Sequence, residues 1–110
     1  MKLLLFTIGM YIFTVFCWVL YLAVMSLARH RHELKPVVKA HAYLLLAVAY
    51  PFDMVLNMVV GTLVFLSPPL ELTLTGRLKR HQRDGGWRGA AAAWVCDNFL
   101  DQFDPDGQHC

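Results

Sequence analysis

The sequence predicts an all-α membrane protein: a two-helix transmembrane hairpin followed by short interfacial or amphipathic helices. Hydrophobic residues make up 57% of the 110 residues and charged residues only 16%, which is too apolar for an ordinary soluble domain. Two apolar runs, within residues 1–28 and 42–66, each reach the roughly 20 residues that a helix needs to cross a bilayer. Residues 29–41 form a basic loop between them, and residues 67–110 form a polar tail.

Residues 1–28 are the first predicted transmembrane helix. Lys2 ahead of the apolar stretch and Ser26 and Ala28 after it resemble a secretory signal, but the stretch is much longer than the about 7–15 residues of a signal core. An uncleaved anchor is therefore favoured. Polar and aromatic residues recur at steps of four and three and form one stripe, which is typical of a face that contacts protein. This stripe consists of Thr7, Tyr11, Thr14, Trp18, Tyr21 and Met25.

The second predicted transmembrane helix, residues 42–66, carries polar residues in its middle. Pro51 predicts a kink just before it, because proline removes one helical hydrogen bond. Asp53 and Asn57 lie one turn apart, and in an antiparallel hairpin Thr14 and Tyr11 lie at the same depth. The sequence therefore predicts an intramembrane polar site made of Asp53, Asn57, Thr14 and Tyr11. Either a hydroxyl donates to Asp53 or Asp53 is protonated, and Gly61 on the same face favours close helix approach.

The tail predicts two further helices after Ser67-Pro68-Pro69. The first, residues 70–83, is expected to lie at the membrane surface with its basic side chains toward anionic headgroups, although alternation in residues 70–75 also fits a strand. Those side chains are Arg77, Lys79, Arg80 and Arg83. The second helix, residues 87–103, is amphipathic, and its predicted interaction face contains Trp87, Val95, Phe99 and Phe103.

Several functional classes find no support in the sequence. No catalytic Ser-His-Asp or Cys-His arrangement and no phosphate-binding glycine loop is present, so no enzyme and no cofactor are expected. His30, His32 and His41 do not share a helical face, so no metal site is expected. No basic domain with a recognition helix points to nucleic acid. Cys96 and Cys110 could form a disulfide only on an oxidising side of the membrane.

The tail resembles a family of small, uncharacterised membrane proteins encoded by tailed bacteriophages and prophages. The resemblance rests on residues 78–81 (Leu-Lys-Arg-His), residues 86–88 (Gly-Trp-Arg), and residues 103–105 (Phe-Asp-Pro) followed by Gly107 and His109-Cys110. It implies a phage or prophage origin and residence in the bacterial inner membrane. It implies no activity and no site residues.

These observations predict a noncatalytic multi-pass protein that binds the lipid bilayer and either a membrane protein partner or further copies of itself. Host-envelope modification or superinfection exclusion would follow from the resemblance. A holin-like pore former and an oligomeric ion or proton carrier using Asp53 are the alternatives, beside a purely structural role for Asp53. The cations of the loop favour a cytoplasmic loop. Lys2 and the more numerous cations of the tail favour cytoplasmic termini instead, and this second orientation is the one that we expect.

Overall fold

The computed structural model describes all 110 residues, and every regular element in it is helical. Helix α1 spans Lys2–Arg29 and helix α2 spans Pro36–Phe65; both are long and apolar enough to cross a membrane. Helix α3 spans Leu74–Asp84. Helix α4 is α-helical over Gly86–Val95, continues through a π-helical turn at Cys96–Leu100, and ends in a 3-10 turn at Asp101–Phe103. The all-α prediction is confirmed, and the strand alternative for residues 70–75 is wrong.

Helices α1 and α2 form an antiparallel hairpin with a shorter loop than the sequence suggested. Pro36 occupies the first position of α2, where its missing N–H costs nothing, so the proline starts the helix instead of breaking the link. The Phe52 ring packs against Phe13 and Phe16, and the Cys17 thiol points toward the Phe52 carbonyl. These contacts place Cys17 and Phe52 at the same depth of the hairpin.

Helix α2 runs without interruption through Pro51, and its irregular turn lies further on. Residues Asn57–Gly61 form a π-helical turn, with Asn57 and Gly61 both buried. The helix ends at Leu66, which adopts the left-handed conformation with a φ of 50°. The chain then turns back along the hairpin.

The tail packs along the hairpin, and its first helix, for which the sequence predicts a place at the membrane surface, contacts α2. The Asn57 side-chain amide donates to the Glu71 carbonyl. Helix α3 starts three residues later, at Leu74, where the Thr73 hydroxyl caps it by accepting from the Gly76 N–H at 3.2 Å. Gly85 and Gly86 have positive φ and reverse the chain into α4, a reversal that glycine makes without strain. Helix α4 then runs from the end of α2 toward Arg29, whose guanidinium donates to the Phe103 carbonyl.

A small apolar core joins the tail to the hairpin. It contains Phe65 of α2, Leu78 of α3, and Ala92, Cys96 and Leu100 of α4. By contrast, only 6% of the most apolar window of α1 and 17% of that of α2 is buried. The outer faces of the hairpin therefore present a large apolar surface.

Candidate functional site

A cavity of about 810 Å³ lies between the hairpin and the tail. Five of the six stripe residues of α1 line it, all except Thr7, whose hydroxyl donates to the Leu3 carbonyl instead. Asp53 of α2 lines the same cavity. The polar stripe and Asp53 thus share one space, as the antiparallel arrangement predicted.

Of the two alternatives for Asp53, the hydrogen bond from an α1 hydroxyl is not formed. The Thr14 hydroxyl donates to the Met10 carbonyl in its own helix at 2.8 Å, a bond that threonine makes readily inside helices. Tyr11 is 71% exposed. Asp53 instead faces the backbone N–H of Leu74 at the start of α3, with His109 within electrostatic reach.

Asn57 belongs to a different cluster from the other three residues of the predicted polar site. It is fully buried, and its amide holds the Glu71 carbonyl of the returning chain. No local pattern predicts this contact, because it depends on the reversal of the chain after Leu66. Asn57 therefore connects α2 to the tail and does not face α1.

The contact between α2 and the tail is made chiefly by three basic side chains, Arg77, His81 and Arg88, which we call the α2 anchor. Arg77 is fully buried, and its guanidinium donates to the Thr62 hydroxyl at 3.2 Å. It lies against Gly61, where a Cβ atom would come within 2.8 Å of Nη1. Burial lowers the pKa of Arg77, and neighbouring Arg80 lowers it further. The missing side chain at Gly61 therefore makes room for the Arg77 side chain of the tail, whereas the sequence favoured close approach of another helix there.

His81 and Arg88 complete the α2 anchor at the end of α2. The His81 ring stacks on Phe65 with 4.8 Å between centroids, and its Nε2 lies 3.1 Å from the Ser67 hydroxyl. Burial lowers the pKa of His81, as do the charges of Arg80, Arg77 and Arg88. Arg88 donates to the carbonyls of Phe65 at 2.6 Å and of Leu66 at 3.1 Å, which satisfies carbonyls left free where α2 ends.

The prediction that four basic side chains face lipid headgroups is wrong for two of them. Arg77 is buried, and Arg80 forms an ion pair with Glu71 at 2.8 Å. Only Lys79 and Arg83 are exposed. Spacing on a helix cannot reveal this difference, since Arg77 is buried against Gly61 of α2 and Arg80 pairs with Glu71, which precedes the helix.

The contact between α1 and the tail, which we call the α1 contact, is aromatic. The Trp18 indole N–H donates to the Phe99 carbonyl at 2.9 Å, and the Tyr21 hydroxyl donates to the Leu100 carbonyl. The Trp18 ring meets Phe99 and Phe103 edge to face at 5.6 and 6.0 Å. Of the predicted interaction face, Val95, Phe99 and Phe103 therefore contact this chain's own core or α1. Trp87 remains 53% exposed, with the Arg88 guanidinium 4.7 Å from its ring centre.

The final segment, residues 104–110, folds back onto α4. Cys96 and Cys110 form a disulfide, and Asp101 accepts from the backbone N–H groups of His109 at 2.8 Å and Cys110 at 3.1 Å. The His109 ring lies 2.9 Å from the Thr75 hydroxyl and 3.0 Å from Asp104. Burial acts to raise the pKa of Asp104, but hydrogen bonds from Asp106 and His109 outweigh it and lower that pKa.

No group of three or more His, Cys, Asp or Glu side chains is arranged to hold a metal ion. Comparisons of the chain with known protein families, with curated proteins and with solved structures found no match.

Proposed function

We propose that the protein is a noncatalytic integral membrane protein that acts by binding another membrane protein through the outer face of α4. The observation that carries the proposal is the depth of this face. Phe99 contacts Trp18, which lies within one helical turn of the middle of α1. If the hairpin crosses a membrane, the middle of α4 lies beside the hydrocarbon core.

The outer face of α4 is unsuited to lipid at that depth. Asp97 and Asn98 are exposed there, next to Trp94, which is 59% exposed. A charged side chain at the centre of a bilayer costs roughly 2.5–3.5 kcal/mol even on permissive scales, and such groups nearly always face protein or water. Covering by protein removes that cost, and an exposed tryptophan next to polar groups is typical of residues that dominate binding.

The chemistry of this face favours a different protein over a second copy. A two-fold symmetric dimer through α4 would bring Asp97 of each copy close to the other, and like charges at low dielectric repel. A partner that offers a basic or hydrogen-bond-donating side chain within its own membrane segment would complement Asp97. Trp94 would supply apolar contact area beside it.

The bacterial inner membrane and a phage or prophage origin are part of the proposal and rest on the resemblance of the tail. On that basis the partner is a host membrane protein, and the role is host-envelope modification or superinfection exclusion. Binding through the outer face of α4 does not depend on this origin.

The disulfide supports an orientation opposite to the one expected from the tail cations. Disulfides persist on oxidising sides of membranes, so Cys96–Cys110 favours a tail outside the cytoplasm and hence a cytoplasmic basic loop. The loop then obeys the positive-inside rule through Arg29, Arg31, Lys35 and Lys39. When cells that express a Cys17→Ala variant are quenched with acid and their proteins are denatured, a thiol reagent should modify Cys96 and Cys110 only after a reductant is added; modification without a reductant would show that the two cysteines are reduced and would favour the reverse orientation.

Site-specific photocrosslinking tests the binding proposal directly. A photoreactive residue at Asn98 should give a discrete crosslinked band in cells, whereas the same residue at Leu63, an exposed position of α2, should give crosslinks to lipid only. A band at twice the mass of the chain would make the face a homo-oligomer interface and contradict the proposal. Equal patterns at both positions would also contradict it, and abrupt loss of membrane potential on expression would favour the pore-forming alternative.

A further inference from the structure

The Asp53 carboxylate lines the cavity between the hairpin and the tail, at the depth of the middle of the hairpin. Asp53 follows Phe52, whose contacts with α1 lie level with Cys17. The ion pairs of the protein do not involve Asp53, so no cationic side chain of the chain pairs with it. Ionisable groups inside membrane segments nearly always have a partner. A cation that pairs with Asp53 therefore comes from outside the chain.

The cavity beside Asp53 has the size and the apolar lining of a small-molecule site. Its volume of about 810 Å³ falls within the roughly 300–1,000 Å³ typical of such sites, and 15 of its 21 lining residues are hydrophobic. It is lined by residues of α1, α2, α3 and α4, so it exists only because the tail folds back. A molecule that fills it is therefore mostly apolar.

Three aromatic side chains line the cavity on the loop side of Asp53. They are Trp18, Tyr21 and Tyr50, which we call the aromatic wall. Trp18 and Tyr21 follow Cys17 in α1, and Tyr50 precedes Asp53 in α2, so all three lie nearer the loop of the hairpin. Faces of aromatic rings attract cations through their negative electrostatic potential. A carboxylate next to an aromatic wall therefore favours a cation that carries apolar groups.

The depth of Asp53 selects among such cations. A bilayer amphiphile keeps its hydrated head group at the membrane surface, whereas Asp53 lies level with the middle of α1. A large organic cation with a shielded charge can lie deeper, because the cost of moving an ion into hydrocarbon falls as its radius grows. Tyr11 and Tyr50 line the cavity and are exposed, so the cavity opens on the outer surface of the hairpin. If the hairpin crosses a membrane, such a cation can enter from the hydrocarbon core.

Lys79 also lines the cavity, but it lies on the other side of Asp53 from the aromatic wall. Helix α3 runs from Leu74, which faces Asp53, toward the end of α2, where it packs on Phe65. Lys79 therefore lies nearer the end of α2 than Asp53 does, and its side chain is exposed. A cation between Asp53 and the aromatic wall is therefore separated from the charge of Lys79.

His109 is the remaining titratable side chain that faces Asp53, and its ring already has partners in the tail. Its Nδ1 lies 3.0 Å from Asp104, and its Nε2 lies 2.9 Å from the Thr75 hydroxyl. When the ring is protonated, Asp104 is the carboxylate that pairs with it. Asp53 therefore stays available to a ligand.

We propose that the cavity binds a lipophilic organic cation, in which aromatic or alkyl groups surround a single positive charge. The charge lies beside the Asp53 carboxylate, and the apolar groups pack on the aromatic wall and on Ala49. The site lies on the inner side of the tail, so the proposal stands apart from partner binding through the outer face of α4.

Two ions of the same shape and opposite charge test the proposal. Tetraphenylphosphonium and tetraphenylborate each carry four phenyl groups around one charged centre. Equilibrium dialysis of the purified full-length protein in an uncharged detergent, against micelles without protein, measures the binding of each ion. We expect tetraphenylphosphonium to bind roughly tenfold more tightly, the ratio expected from one charged interaction. The Asp53→Asn variant should lose this preference, whereas Asp106→Asn, which removes an exposed acid that does not line the cavity, should keep it.

A second pair of variants keeps the test decisive if Asp53→Asn alters the start of α3. Ala49→Leu places a larger side chain in the wall of the cavity, whereas Ala47→Leu adds the same atoms at an exposed position of α2. Binding of tetraphenylphosphonium that falls with Ala49→Leu and not with Ala47→Leu supports the site. Equal binding of the two ions by the natural sequence, a preference retained by Asp53→Asn, or equal behaviour of the two leucine variants would overturn the proposal.

Discussion

The tail meets the two helices of the hairpin in chemically opposite ways. At the α2 anchor, charged side chains pack closely against α2: Arg77 lies against Gly61, and Arg88 donates to the two backbone carbonyls at the end of α2. At the α1 contact, two aromatic side chains each give one hydrogen bond to a backbone carbonyl of α4, and neither is fully buried. The comparison suggests that the α2 anchor fixes the position of the tail, whereas the α1 contact closes the cavity and tolerates change.

The largest effect on the stability of the docked tail is expected where α3 and α4 cross, because this crossing positions the side chains of the α2 anchor. A Cβ atom at Gly89 would lie 2.7 Å from the His81 carbonyl oxygen, and backbone atoms cannot move aside without shifting a helix. We expect Gly89→Ala to destabilise the docked tail by about 1–3 kcal/mol. Thermal unfolding in mild detergent measures the change. Gly9→Ala is the control, since its Cβ would meet no atom within 4 Å, and that variant should be as stable as the natural sequence or more so.

A smaller effect is expected at Gly61, because the nearest atom there is the end of a long side chain. Gly61→Ala should cost about 1 kcal/mol, and the cost should shrink in the Arg77→Met background, where the guanidinium is gone. A double-mutant cycle on protease resistance of the tail measures the coupling. Additive effects of the two changes would show that Gly61 does not serve to admit Arg77.

Substitutions at the α1 contact should destabilise the docked tail less than substitutions at the α2 anchor. Trp18→Phe removes the indole N–H that donates to Phe99 but keeps an aromatic ring in place, so we expect a loss of about 0.5–1.5 kcal/mol. Trp87→Phe, at an exposed position with no hydrogen bond through its indole, should leave the same unfolding measurement unchanged. A larger loss from Trp18→Phe than from Gly89→Ala would invert the ranking of the two contacts.

Mild acid should loosen the α2 anchor and spare the final segment. His81 has a lowered pKa in the folded state, so as pH falls below its ordinary value of 6.5 the unfolded chain takes up the proton first and folding is disfavoured until the lowered pKa is reached. Asp104 has a pKa below its ordinary 3.8 and stays ionised throughout this range. Hydrogen exchange compared at pH 7.5 and 5.5, corrected for intrinsic rates, should show faster opening of α3 alone. The His81→Gln variant should abolish that difference.

Periodicity predicted the elements of the fold well, because the features that define a helix are local. The apolar runs became α1 and α2, and the stripe from Tyr11 to Met25 faces the cavity. The position of the tail could not be predicted in this way. Whether Arg77 faces lipid or Gly61 depends on how the chain turns after Leu66, and no pattern within α3 carries that information.

The candidate site could be predicted only in part, because some of its residues stand out locally whereas their neighbours depend on the path of the chain. Asp53 stood out because a carboxylate in an apolar run is unusual in any fold. Its surroundings include Leu74, which reaches it after one reversal of the chain, and His109, which reaches it after three. The pairing of Cys96 with Cys110 likewise depends on the final turn, since spacing alone leaves the two sulfurs unassigned.

The two π-helical turns lie where the tail meets the hairpin: Asn57–Gly61 in α2 and Cys96–Leu100 in α4. A π-helical turn holds one residue more than an α-helical turn, so each is equivalent to a single inserted residue in an otherwise regular helix. Removal of Met58 should therefore convert this turn to regular α-helix and leave the parts of α2 before and after it in nearly the same relative orientation, so Gly61 and Phe65 should still face Arg77 and His81. Removal of one residue from the regular part of α2 would instead rotate one part of the helix by about 100° relative to the other, so the π-helical turn is the place in α2 where the contact between hairpin and tail should tolerate a change of length.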